Sequence, residues 1–337
     1  MRVGAVDCGT NSIRLLVADV DDAGGEVAAT EVLRRMEIVR LGAGIDATGL
    51  IAPEALARTL AACRDYAAEC DRLGVERVRF AATSASRDAR NADEFVAGVV
   101  EAFAPRPVRP EVITGHQEAR LSFTGATAGL AGRAAGPYVV VDLGGGSTEF
   151  VRGTGDVEAS ISVDVGCVRL YERALAAGPG GSGDGRPGPE GVAALLRDVD
   201  AALDDVARAV DLTGVATLVG LAGTVTTVAA HALGLPAYDR DAIHGSVQTP
   251  AATLAACRDL AGMSTAQRAA LGFMHPGRVD VIAAGALVWA RIVERVADAS
   301  PGVVVLVSEH DILDGLAVSL AGTPDGSEAG GRGIVGA

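Results

Sequence analysis

Lysine is absent from the 337-residue chain, so every permanently charged basic side chain is an arginine. That excludes a Walker-type phosphate-binding lysine and any Schiff-base chemistry. It leaves the planar guanidinium fork, which suits phosphate, as the fixed cation available for anions. Aromatic residues make up only 3%, too few for a stacking platform under single-stranded nucleic acid. A formal net charge of −14 also removes the cationic footprint of a general nucleic-acid binder. The five cysteines, Cys8, Cys63, Cys70, Cys167 and Cys257, show no C-x-x-C spacing and read as reduced, buried thiols. No apolar run reaches membrane-spanning length free of charges or turn residues. Met1 leads straight into a strand pattern rather than a secretory leader. A cytoplasmic protein with neither membrane nor nucleic-acid partners is expected.

What is present is aliphatic. Hydrophobic residues reach 49%, enough for a substantial core built from Val, Leu, Ile and Ala. The length fits two domains better than one. Strand-like and helix-like segments alternate with short connections, which predicts an α/β fold. One lobe is expected over residues 1–124 and a second over 125–310. A final helix at 311–321 is placed back on the first lobe, and 322–337 reads as a disordered Gly-rich tail. The Gly/Pro-rich stretch 178–191 reads as a flexible surface loop that carries no site.

Two stretches share one plan of strand, aspartate, glycine turn and strand. The first runs through Asp7, Cys8, Gly9, Thr10, Asn11, Ser12 and Arg14; the second runs Asp142, Leu143, Gly144, Gly145, Gly146, Ser147, Thr148, Glu149. Glycine lets a ligand approach the main chain closely, and the amides of such a turn can form a nest for phosphate oxygens. Asp142 and Glu149 could hold a hard cation beside that phosphate. Read alone, each turn is equally a hairpin with an acidic edge. The repetition favours a cleft with one turn on each wall. Gly223 and Thr224, after a buried strand pattern at 215–222, supply a third turn of the same kind. Glu118 opens a helix that follows a strand. By position alone it is equally an acid favoured by the helix dipole. The histidines at 116, 231, 244, 275 and 310 show no metal-ligand spacing.

Taken in order, several segments resemble the exopolyphosphatase / guanosine pentaphosphate phosphohydrolase family. They are Asp7-x-Gly9-x-Asn11-Ser12, the loop 83–91, Gly115-x-x-Glu118-Ala119-Arg120, the 142–149 turn, Gly166-Cys167-Val168-Arg169, Ala222-Gly223-Thr224 and Arg278-Val279-Asp280. The resemblance covers nearly the whole chain and implies two ribonuclease-H-like lobes of the actin/Hsp70/sugar-kinase superfamily. Larger relatives add a helical HD-type domain, for which this chain has no residues. The family's catalytic glutamate falls on Glu118, as the base that activates water to hydrolyse a phosphoanhydride. Asp142 and Glu149 are implied as its acidic partners, positioning Mg²⁺ or another divalent cation with Asp7 from the opposite wall. Terminal phosphates are expected on the turns at Asn11–Ser12, Gly144–Ser147 and Gly223–Thr224. Arg87 is the leading substrate-binding arginine, with Arg14 and Arg278 behind it. Where many relatives carry Asn or Glu near 116 and 117, this chain has His116 and Gln117, leaving Glu118 the only acid in that turn. The expected substrate is linear polyphosphate, with guanosine pentaphosphate as the alternative and a homodimer implied by analogy. A non-catalytic polyphosphate or nucleotide sensor is the alternative of another class, and the three retained carboxylates argue against it.

Overall fold

The β-branched runs that flank the two aspartate turns form the centres of two sheets. In the computed structural model, residues 1–23, 26–128, 134–175 and 183–321 are described. The first sheet contains β1 (Arg2–Cys8), β2 (Ser12–Ala23), β3 (Glu26–Ile38), β4 (Arg77–Ala82) and β5 (Glu111–Val112), in the order β3-β2-β1-β4-β5. The second contains β6 (Tyr138–Leu143), β7 (Thr148–Gly153), β8 (Val157–Val163), β9 (Thr217–Leu221), β10 (Val247–Gln248) and β11 (Val304–Val307), in the order β10-β11-β9-β6-β7-β8. Each sheet has an antiparallel meander of three strands, continued by parallel strands on the far side of its first strand. This repeated order is the ribonuclease-H-like plan. The second sheet gains β10 as an antiparallel edge.

Helices cover both faces of each sheet. On the first lobe these are α1 (Ile45–Thr48), α2 (Pro53–Arg72), α3 (Ser84–Asp88) and α4 (Ala92–Ala102). Between the lobes runs α5 (Gly115–Thr127). The second lobe adds α6 (Cys167–Leu170), which runs on as a π-helical turn at Tyr171–Leu175, then α7 (Pro189–Ala209), α8 (Ala222–Ala232), α9 (Arg240–Ile243), α10 (Pro250–Gly262), α11 (Thr265–Ala269) and α12 (Ile282–Ala299). The last helix is α13 (Ile312–Ser319). Helix α7 shows why the pattern was legible. Leu195, Val199, Leu203 and Val206 recur at helical spacing and are all buried. Burying each such side chain stabilises by about 1.5–3 kcal/mol. Trp289 on α12 is fully buried in the same core.

Two helices fill the space between the sheets. Helix α13 packs its Ile312, Leu313 and Leu316 on Val3, Ala5 and Leu16 of the first sheet. Helix α5 sets Ala119, Phe123 and Ala126 on Val140, Val151 and Val219 of the second. The boundary expected at 124 therefore falls inside a helix that packs on the second sheet, and the chain leaves the first sheet at β5. The reason is the apolar face of α5, which meets strands that follow it in sequence. The two helices cross with glycine in the contact. A Cβ on Gly125 would overlap the carbonyl oxygen of Asp311, and one on Gly315 would overlap the carbonyl oxygen of Leu121.

Ion pairs stitch the lobes together along the cleft. Arg169 Nη1 meets Asp46 at 2.7 Å and its Nη2 meets Asp88, while Arg173 reaches Asp46 at 2.7 Å. Elsewhere Arg40 pairs with Asp280 at 2.9 Å and Arg240 with Glu31 at 2.8 Å. The 322–337 tail and part of the 178–191 loop lie outside the described residues. Of the loop's remainder, Asp184 accepts the Thr265 amide at 2.9 Å, and Pro189 already opens α7.

Candidate active site

The parallel strands of both sheets end at the cleft, and the residues at and just beyond those ends supply its chemistry. Asp7 and Asp142 are the penultimate residues of β1 and β6, Thr83 follows β4, Ala222 follows β9, and Ser308 follows β11. Ligands in open α/β sheets bind at such carboxyl ends. Here the two halves face each other around a pocket of about 90 Å³. Asp7, Asn11, Arg14, Glu118, Asp142 and Gly145 are among its walls.

Glu118 reaches the pocket because its helix is strictly started. Thr114 caps α5 by accepting the Gln117 amide at 3.2 Å, and Gln117 Oε1 accepts the Thr114 amide at 2.9 Å. This reciprocal capping box explains Gln117, and His116 lies against Ser160 at 2.7 Å. The Glu118 side chain is buried rather than solvated, and Arg87 Nη1 donates to its Oε2 at 2.7 Å. Burial raises its pKa to about 7; Arg87 opposes the shift, and the charges of Asp142 and Asp7 add to it. A carboxylate tuned near neutrality is suited to accept a proton from water. A surface acid favoured only by the helix dipole would shift the other way.

Asp142 and Glu149 face each other across the β6–β7 pair, on the same side of the sheet, but only Asp142 lines the pocket. Asp142 lines the pocket and accepts from Ser122 Oγ at 2.7 Å. Burial first, then the Asp311 charge, pushes its pKa up to about 6. Glu149 is only 1% exposed, does not line the pocket, and accepts from Ser162 at 2.7 Å. Burial and repulsion from Glu118 and Asp142 hold its carboxyl well above the usual range.

Across the cleft, Arg14 donates through Nε and Nη2 to Asp7 Oδ2, at 3.0 and 2.6 Å, and through Nη1 to Asp311. Burial raises the Asp7 pKa against the pull of Arg14. Burial also opposes ionisation of Asp311, but Arg14 and Arg34 outweigh it and hold that carboxyl below its ordinary value. Asp311 also caps α13, accepting the Leu313 amide at 3.0 Å. Sequence reasoning missed it, although its place just past the end of β11 was the available signal.

The glycine turns are backed by hydrogen bonds on their carbonyl side. Gly144 O accepts Cys167 N at 3.0 Å, Gly145 O accepts Val168 N at 2.9 Å, and Gly146 O accepts Arg169 Nε at 2.7 Å. Among the described residues the amides of Gly145 and Gly146 have no acceptor. The opposite wall approaches closely: a Cβ on Gly146 would lie 2.7 Å from Ser84 Oγ and 2.8 Å from Thr10 Oγ1. Ala222 adopts φ 69°, a left-handed angle unusual for a residue with a side chain. Such strain concentrates at functional turns. A Cβ on the next residue, Gly223, would overlap the guanidinium of Arg278, so glycine is what lets that arginine lie against the turn. Thr224 and Ser147 complete this side of the pocket.

Arg87 does not line the pocket; its Nη1 is engaged by Glu118 at 2.7 Å and by the Ile113 carbonyl at 2.8 Å. Among the described residues no group of three or more His, Cys, Asp or Glu is gathered to hold an ion by itself. The donor set fits a different arrangement. Mg²⁺ is ordinarily held by one or two carboxylates together with substrate phosphates. Asp7 and Asp142 both line the pocket, and Asn11 Oδ1 is buried there without a partner.

Comparison with known proteins finds similarity over nearly the whole chain. The chain is 50% identical over 324 residues to Exopolyphosphatase 2 of Mycobacterium tuberculosis, covering 95% of this chain and 99% of that protein. Among solved structures, an exopolyphosphatase-like protein superposes with a TM-score of 0.87 at 37% identity, covering 95% of this chain and 98% of the other. A Ppx/GppA protein from Aquifex aeolicus superposes with a TM-score of 0.74 at 30% identity, covering 95% and 97%. The Ppx/GppA phosphatase family pattern spans residues 16–319, from β2 to the end of α13, and the chain therefore belongs to that family of phosphatases.

Proposed function

We propose that the protein is an exopolyphosphatase that releases orthophosphate from the end of linear polyphosphate. The observation that carries this reading is the meeting of Glu118 with the Asp142 turn in one small pocket. The terminal phosphate is received by the Gly145 amide and by Ser147, with the Asn11–Ser12 turn opposite. Water attacks the terminal phosphorus, its proton passes to the free Oε1 of Glu118, and the anhydride oxygen leaves with its electron pair on the shortened chain. Phosphoryl transfer asks mainly for positioning and charge stabilisation, which the amides, Arg278 and the carboxylate-held site provide. Asp142 and Asp7 would hold a divalent cation, with Mg²⁺ the natural choice, and that ion would neutralise phosphate oxygens and polarise the phosphoryl group.

A second chamber of about 410 Å³ adjoins the first and shares Arg14, Gly223 and Arg278 with it. Its Tyr238, Phe273 and Met274 walls favour, as a second reading, a guanosine polyphosphate with its base in that chamber. Phosphate release should be measured side by side on polyphosphate and guanosine pentaphosphate, with divalent cation present. Glu118→Gln is expected to lower kcat by about 10²–10⁴-fold. A Glu118→Gln protein with wild-type turnover would remove this reading.

A further inference from the structure

The catalytic pocket has room for the end of a chain, and the rest of a longer substrate must lie beyond it. The adjoining chamber is reached past Arg14 and Arg278, which line both spaces. Its charges are unevenly committed. Arg34 is paired with Glu31 and Asp314, and Arg35 with Glu37 and Glu69. Arg14 is divided between Asp7 and Asp311. Arg278 has no carboxylate within ion-pair distance among the described residues, only the Met36 sulfur at 3.3 Å. A phosphate chain crossing this passage therefore meets one free guanidinium. It also meets a second whose outer nitrogen, Nη1, is already taken by Asp311. Glu309 adds a further carboxylate to the chamber wall and does not line the first pocket.

We propose that Asp311 is a specificity-determining residue: by occupying Arg14 Nη1 at the passage between the chambers, it weakens the hold on inner phosphates and biases the enzyme toward short chains. The proposal rests on the exopolyphosphatase reading. The inner phosphates must displace a carboxylate to gain Arg14, and they feel its like charge while doing so. The terminal phosphate on the glycine turns does not.

Asp311→Asn tests this cleanly, because Asn caps a helix as well as Asp does while losing the charge. Turnover would be measured from tripolyphosphate up to chains of tens of units. The expected result is a ratio of long-chain KM to tripolyphosphate KM that falls about tenfold, whatever change in kcat the lost charge beside Arg14 and Asp142 brings at every length alike. Glu309→Gln should give a smaller gain that begins only at greater length. A change equal at all lengths, a loss confined to kcat, or no change at all would overturn the role of Asp311. Wild-type protein that frees no phosphate from any chain would instead remove the underlying reading. If Asp311→Asn melts early, Asp311→Ser, which also caps a helix and loses the charge, carries the test, and length-independence there would be equally fatal.

Discussion

Glu118 is held between opposing influences, and its ionisation is the most directly measurable consequence of the site. Burial lifts its pKa to about 7, and Arg87 resists that rise. With the ionised carboxylate as the proposed base, kcat/KM should climb with pH through about 7 and flatten above it. Arg87→Gln removes a restraining charge, so the acid limb of the pH profile should move to higher pH. An unmoved limb would show that Arg87 does not tune the base. At this scale the sequence was legible where chemistry repeats locally. Asp7 and Asp142 stand at the same place in two copies of one hairpin, and both line the pocket. It was silent on pairings across long separations. Nothing near Arg14 announces Asp311, and nothing near Arg87 announces Glu118. Glu149 illustrates the converse. It is paired with Asp142 across β6 and β7, so both side chains leave the same face of the sheet, but the sequence does not tell how deeply each is buried there.

Among the elements, the α5–α13 crossing does most to position the site. Helix α5 carries Glu118 and Ser122, and α13 begins at Asp311. Gly125→Ala should favour an isolated helix by about 1 kcal/mol. Here the added methyl overlaps the Asp311 carbonyl, and overpacking of this kind costs about 1–3 kcal/mol or more. The expected net result is a lower urea midpoint, with catalytic loss because Asp311 and Ser122 shift together. A midpoint equal to or above wild type would refute close contact at the crossing. The sequence displayed α5 as a helix and showed its apolar spacing, but a short stripe of Ala119, Phe123 and Ala126 does not say which sheet it covers. That choice is made by tertiary packing, which the spacing of the stripe does not encode.

For the whole molecule, closure of the lobes rests on ion pairs that are partly open to solvent. Each such pair is worth about 0–1 kcal/mol, so they bias closure more than they enforce it. Asp46 matters most, since Arg169 and Arg173 both converge on it. Asp46→Asn should increase the radius of gyration seen by small-angle scattering. Wild type should approach the same value as salt rises toward 1 M, where screening acts within about 3 Å. Equal radii for both proteins at low salt would mean the lobes are held by their helices alone. The size of the inner pocket has a last consequence. A space of about 90 Å³ walled by a glycine turn admits a free terminus and excludes the middle of a strand. Cyclic metaphosphates, which have the same anhydride bonds but no terminus, should pass this enzyme uncut.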